Sequence, residues 1–145
     1  DYKHIKVVLT NIKGSSGTPS LSIRYSTNGG SSFNSSVGDY EFVRVYAFNT
    51  DNSGTDSTNL SSAILLEEGI PTAAASGADL VMTFYDWQNS TSYMKCMGEM
   101  IKAESSAISL IRCGGFRRNA QANNAIRFLL STGTMTADYS VYGIL

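Results

Sequence analysis

Apolar residues recur at every second position along this chain, and no other feature restricts its fold as much. Ile5, Val7 and Leu9 alternate with His4, Lys6, Val8 and Thr10, and Leu21, Ile23 and Tyr25 alternate with Ser20, Ser22, Arg24 and Ser26. Leu80, Met82 and Phe84 fall on one side of a strand, with Val81, Thr83, Tyr85 and Trp87 on the other. A period of two is the pleat of a half-buried β-strand, because successive side chains leave the backbone on opposite faces. Phe42, Val43, Val45, Tyr46 and Phe48 are apolar on both faces, as in a central or covered strand. Runs at 63–66, 93–101, 107–113, 125–131 and 139–145 bring the total to about eight or nine strands of the β-branched and aromatic kind.

Between these runs lie clusters of Gly, Asn, Ser and Thr at 26–32, 49–59, 71–77, 88–92 and 131–136, the chemistry of turns. Segments 61–68 and 119–124 can each form one helical turn and no more. Many strands at short spacing with almost no helix predict an all-β chain. The expected fold is an antiparallel β-sandwich, jelly-roll-like, with two sheets of four or five strands around one core. No linker or repeat divides the sequence, so residues 1–145 read as a single domain, and the initial Asp1 in place of Met reads as a piece of a longer product or a processed one.

The chain is polar through hydroxyls and amides rather than through charge. Charged residues make up 16% and hydrophobic residues 42%, enough to build a core. A net charge of −1 argues against nucleic-acid phosphates as partners, and no apolar run is long enough for membrane insertion. His4 is the only imidazole, so neither a histidine metal site nor a cofactor is expected. Cys96 and Cys113 sit within apolar segments, where a disulfide and two small buried thiols both fit. No nucleophile elbow and no phosphate-binding glycine loop is present, and an enzyme is not expected. The pairs Asp86 with Glu99 and Glu67 with Glu68 have the residue types of glycoside hydrolysis, but nothing in their setting distinguishes them. Glu67-Glu68 reads more simply as a solvated strand end.

Four local strings carry the remaining information. Ser26, Asn28, Gly30 and Phe33 stand in the places of the Asp-box of sialidase-type hairpins, with Asn28 for the usual Asp. The implied element is a structural hairpin turn. Asp51, Asn52, Asp56 and Asn59 lie within one polar stretch that can be read as oxygen ligands for Ca²⁺ or as a solvated loop. Tyr85-Asp86-Trp87-Gln88-Asn89 places the only Trp beside hydrogen-bonding groups at a strand end. Sugars are held by aromatic rings against their apolar faces and by amides and carboxylates on their hydroxyls, so these five residues are candidate glycan contacts. The competing reading has Trp87 capping the core or filling a subunit interface. Gly114-Gly115-Phe116-Arg117-Arg118-Asn119 is a second candidate: read as a flexible loop, it carries Phe116, Arg117 and Arg118 for an acidic sugar or a carboxylate, or else is a solvated turn.

Two longer segments resemble a known family. Leu21-Ser22-Ile23-Arg24-Tyr25-Ser26-Thr27-Asn28-Gly29-Gly30-Ser31-Ser32-Phe33 with Tyr40, and Ala125-Ile126-Arg127-Phe128-Leu129-Leu130-Ser131-Thr132-Gly133 with Tyr142-Gly143-Ile144-Leu145, are similar to the C-terminal β-sandwich domain of tail-fibre and receptor-binding proteins of tailed bacteriophages. The resemblance implies a virion structural protein on the exposed surface of a tail fibre or spike. Its expected partners are copies of itself in a homotrimer, other virion proteins and a host surface polysaccharide. The alternative is a purely architectural virion domain: a head fibre, a capsid decoration or a tail adaptor. Phe42, Tyr46, Phe48, Met94, Met97 and Met100 supply apolar surface beyond what two inner faces need. The closing strand ends on Leu145 without a polar tail, as a strand buried in the domain or in an interface would.

Overall fold

The computed structural model describes residues 2–49, 53–105 and 107–145, apart from the side chains of Asn59 and Leu60. It contains ten strands and, among these residues, no helix: β1 (His4–Gly14), β2 (Leu21–Ser26), β3 (Tyr40–Phe48), β4 (Ser53–Ser61), β5 (Ile64–Glu67), β6 (Gly77–Tyr85), β7 (Lys95–Ala103), β8 (Ile108–Arg117), β9 (Ala125–Leu130) and β10 (Met135–Ile144). All pairings are antiparallel. The sheets are unequal, seven strands in the order β10-β1-β6-β7-β8-β3-β4 facing three in the order β5-β2-β9. The chain is thus an all-β sandwich, with seven strands over three in place of two sheets of four or five. Neither segment that could make a helical turn does so, and 61–68 instead carries β5.

The alternation sorts side chains between core and solvent. Ile5, Val7 and Leu9 of β1, Leu80, Met82 and Phe84 of β6, Cys96 and Met100 of β7, and Ile111 and Cys113 of β8 point towards the small sheet. Leu21, Ile23 and Tyr25 of β2 answer them from the other side, all fully buried. Burial of each such side chain is worth about 1.5–3 kcal/mol, which makes this interface the main support of the fold. β5 lies over β8 and β3, and Phe128 of β9 meets Phe84 of β6 at 6.4 Å between ring centroids. Five of the six residues read as surplus belong to this inner layer or lie close to it: Phe42 and Tyr46 pack on it, Phe48 stands against Tyr46, and Met94 and Met100 are buried. Met97 alone faces out, 53% exposed.

The strand missing from the sequence reading is β4, within the stretch taken as a loop with a candidate Ca²⁺ site. Asp51 and Asn52 lie outside the described residues, as does the Asn59 side chain. Asp56 accepts hydrogen bonds from the Arg44 guanidinium, at 3.0 Å from Nε. Thus the one described carboxylate of that set is engaged as an ion pair within the sheet.

The turn at 26–33 closes as expected. Ser26 Oγ accepts the amides of Asn28 and Gly30, Asn28 Oδ1 accepts that of Ser32, and the Asn34 amide returns to the Tyr25 carbonyl. Gly29 and Gly30 both take positive φ there, at little cost only for glycine. It does not join two paired strands, however. β2 belongs to the small sheet and β3 to the large one, so the segment is a crossover between layers. Tyr40 fastens it: its hydroxyl accepts the Tyr25 amide and donates to the Asn34 carbonyl, both at 3.0 Å.

Glu67 is not a solvated end. It is 3% exposed and bridges Arg44 (3.1 Å) and Lys102 (2.7 Å), both also buried, whereas its neighbour Glu68 is exposed and reaches Arg44 at the rim. Burial pulls the Arg44 guanidinium down, and its hydrogen bonds to Asp56 and Glu68 more than offset that, leaving its pKa raised. Cys96 and Cys113 are free and buried on neighbouring strands. Burial pushes the Cys96 thiol up to about 11 and the Cys113 thiol up to about 12.

Candidate functional site

Parts of the two candidate glycan strings, far apart in sequence, meet on the outer face of the large sheet. Tyr85 ends β6 opposite Lys95 of β7, Lys95 stands opposite Phe116 of β8, and Phe116 stands opposite Glu41 of β3. His4 extends the row on β1, packing edge-on against Tyr85 at 5.5 Å. Each has an inward neighbour, Phe84, Cys96 or Arg117, so the pleat alone turns this row outward. Tyr93 lies nearly parallel to Phe116, with centroids 5.5 Å apart and planes at 17°, and is 48% exposed.

Beside Phe116 the sheet is hollow. Gly114 has no side chain to fill the space between Val43 and Met97, which flank it on the adjoining strands. A Cβ there would come within 3.1 Å of the Cys96 carbonyl, so the notch follows from the backbone approach as well. The resulting depression is about 700 Å³, with Gly114, Met97, Val43 and Phe116 as its apolar surface. Lys95, Glu41 and Ser57 supply polar groups around it.

Charges at the rim are paired loosely. Asp86 lies 3.9 Å from Lys95, and Glu41 lies 3.3 Å from Arg118, with Lys95 itself 61% exposed. Each pair has an exposed cation and a half-buried carboxylate, and pairs open to solvent on one side are worth about 1 kcal/mol or less. An apolar floor, a stacked aromatic pair and hydrogen-bonding groups of both signs match the faces of a pyranose ring. Among the described residues, no group of three His, Cys, Asp or Glu side chains is placed to hold a metal ion.

Four of the eight sequence-predicted contacts, Tyr85, Asp86, Phe116 and Arg118, gather here. Trp87 and Arg117 do not. Asp86 adopts φ 55°, which ends the alternation and swings Trp87 inward; it is 6% exposed and packs against Tyr25 and Phe84 at 6.3 and 6.2 Å. Gly114 to Arg117, expected in a flexible loop, are instead the end of β8, where Arg117 keeps the inward parity of Ile111 and Cys113 and is 1% exposed. It donates to Asn123 Oδ1 (2.9 Å) and Gln121 Oε1 (3.0 Å). Since the Asn123 amide donates to the Trp87 carbonyl, both residues anchor the segment leading into β9. Asn89 is exposed, but its Oδ1 accepts from the Thr91 amide and hydroxyl and from the Ser92 amide, closing its own turn. Gln88 is exposed on that same turn.

Tyr93, Lys95 and Glu41 were not among the candidates. Parity within 95–103 and 108–117 points Lys95 and Phe116 the same way, so that signal was available. The stacking of Tyr93 depends on a turn conformation that carries no periodic signal. No family model matches this chain, and no curated protein and no solved structure is significantly similar to it.

Proposed function

We propose that this chain is a virion structural domain of a bacteriophage, the distal part of a tail fibre or spike, and that it binds a host cell-surface glycan. The observation that supports the binding reading is the outer-face depression beside Phe116, with Tyr93 stacked on that ring and Lys95 and Glu41 at its edge. The virion setting comes from the resemblance of 21–40 and 125–145 to tail-fibre domains. A screen against bacterial surface polysaccharides tests it. Binding weakened at least about tenfold in Phe116→Ser and Tyr93→Ala, but kept in Gln88→Ala, is the expected result, a loss of about 1.4 kcal/mol or more. Binding indifferent to both aromatic substitutions refutes the site.

An architectural role in the virion is the second reading, and the outer face favours it. Val43, Val45, Val81, Met97, Ile101 and Leu110 are 40–62% exposed on that one side of the sheet. The exposed pair Arg112–Glu99 lies among them. Apolar patches of this extent usually mark contact surfaces. Locating the chain in the intact particle separates the readings: distal tips support recognition, while a position inside the tail or across the capsid supports architecture.

A further inference from the structure

The large sheet ends on β10, and that edge is unguarded. Edge strands of soluble proteins are usually short, bulged, charged or proline-bearing, because a free row of N–H and C=O groups pairs with any extended chain that reaches it. β10 is ten residues long, with a single charge at Asp138 and neither lysine nor proline. Against β1 it runs in unbroken register from Asp138 to Ile144, the only irregularity lying between Thr136 and Asp138. Tyr139 is 77% exposed, Val141 57%, Tyr142 54% and Leu145 90%. The closing segment is therefore not buried within its own domain.

The layer beneath β10 is also incomplete. The small sheet stops at β9, leaving an open groove of about 600 Å³ between Ile126 and Phe128 of β9 and Met135, Tyr139 and Val141 of β10. The opposite edge differs. β4 presents Ser, Thr and Asp, and its inward Asp56 is held by Arg44.

We propose that β10 pairs antiparallel with β10 of a second copy of this chain, about a two-fold axis through Ser140. The two seven-stranded sheets join into one, and the two grooves merge into a shared core. This register pairs residues 136–144 of β10 with one another, nearly the full length of the strand. On the inner face it sets Tyr139 against Val141, Met135 against Leu145 and Ala137 against Gly143, a large residue beside a smaller one at the centre. On the outer face Asp138 meets Tyr142, whose hydroxyl can donate to it. Lys6 stands beside Tyr142 on β1, so each copy's carboxylate arrives one strand from the other's ammonium. Neither Asp138 nor Lys6 has an ion partner among the described residues. A register centred on Asp138 would oppose two carboxylates. The area available for burial is the exposed part of Tyr139 (77%), Tyr142 (54%), Val141 (57%) and Leu145 (90%) with the paired backbone, to be set against the roughly 800 Å² per partner of a standard interface. Antiparallel pairing of one strand with itself is isologous and closes at two copies, unlike the threefold assembly expected from the family resemblance.

Sedimentation equilibrium on the whole chain tests this, read at about 100 µM, where a micromolar pair is largely formed. The expected mass is twice the chain's 15.6 kDa. Ser140→Lys opposes two ammonium groups at the axis and is expected to weaken the dimer at least about tenfold while leaving the far-UV spectrum unchanged. Ser140→Cys is expected to form a covalent dimer under mild oxidation. Directly opposed residues have Cα atoms about 4.5–5.5 Å apart, within the roughly 4.4–6.8 Å that a disulfide spans. Ser131→Cys, in the exposed turn after β9, is expected not to cross-link. A monomer at that concentration, a trimer, or a dimer that ignores Ser140→Lys and leaves Ser140→Cys reduced overturns the proposal.

Discussion

Trp87 packs against Tyr25 and Phe84, and Arg117 holds Asn123 and Gln121, so the two most ligand-like side chains of the sequence serve the structure instead. Their substitution is expected to act on stability. Trp87→Ala removes a buried indole and should cost about 3–5 kcal/mol in denaturant unfolding, whereas Tyr93→Ala on the surface should cost under about 1 kcal/mol. Equal costs would contradict these placements. The thiols give a pH test. Folding raises Cys96 to about 11 and Cys113 to about 12 from an ordinary value of 9.0, and burial raises the Tyr25 hydroxyl as well. For groups held protonated by burial, the unfolded chain releases its protons first. Stability should therefore stay level up to about pH 9 and fall as pH climbs towards 11–12. Chemical denaturation across that range checks the sign. Neither thiol should react with a thiol reagent at pH 8 until the chain unfolds. At this scale parity was legible: it turns Phe116 outward and Arg117 inward. The left-handed Asp86 was not, because one φ angle at the end of a strand leaves no trace in hydrophobic pattern.

The strands rich in Val, Ile, Leu and aromatics announced themselves, since each buries one complete face. β4 did not, for a physical reason. Its inward positions are Gly54, Asp56 and Thr58, opposite Tyr46, Arg44 and Phe42. The Tyr46 ring occupies the place a Gly54 side chain would take, and Arg44 requires a carboxylate from Asp56 rather than a methyl group. A strand whose partner supplies the apolar mass looks like a polar loop. β5 concealed something similar, because Glu67 closes an apolar run yet is buried between Arg44 and Lys102. Removing one member of a buried pair leaves its partners uncompensated, so Glu67→Gln should cost about 3–5 kcal/mol. Glu68→Gln, at a mostly exposed site, should cost about 0–1 kcal/mol. Denaturant midpoints of the two variants decide this; similar losses would place Glu67 in solvent.

For the molecule as a whole, seven strands over three leave two large surfaces without partners, and both follow from the inequality of the layers. The inner side of β10 extends beyond β9 and forms an open groove, while the outer side of the large sheet carries the Phe116 depression amid exposed apolar side chains. An all-β sandwich was legible from period two because that pattern is local. The division of strands between layers was not, since it depends on which strands pair across long separations, such as β3 with β8 and β1 with β6. The gathering of Tyr85 with Phe116 had the same origin: only β7, paired between β6 and β8, brings them into one row. The most direct test of the central claim is amide chemical-shift mapping of the whole chain during titration with a bacterial surface oligosaccharide that it retains. The expected result is saturable shifts confined to residues around Tyr93, Lys95, Met97, Gly114 and Phe116. Shifts centred elsewhere, or none with any oligosaccharide tested, would contradict a glycan site on this face.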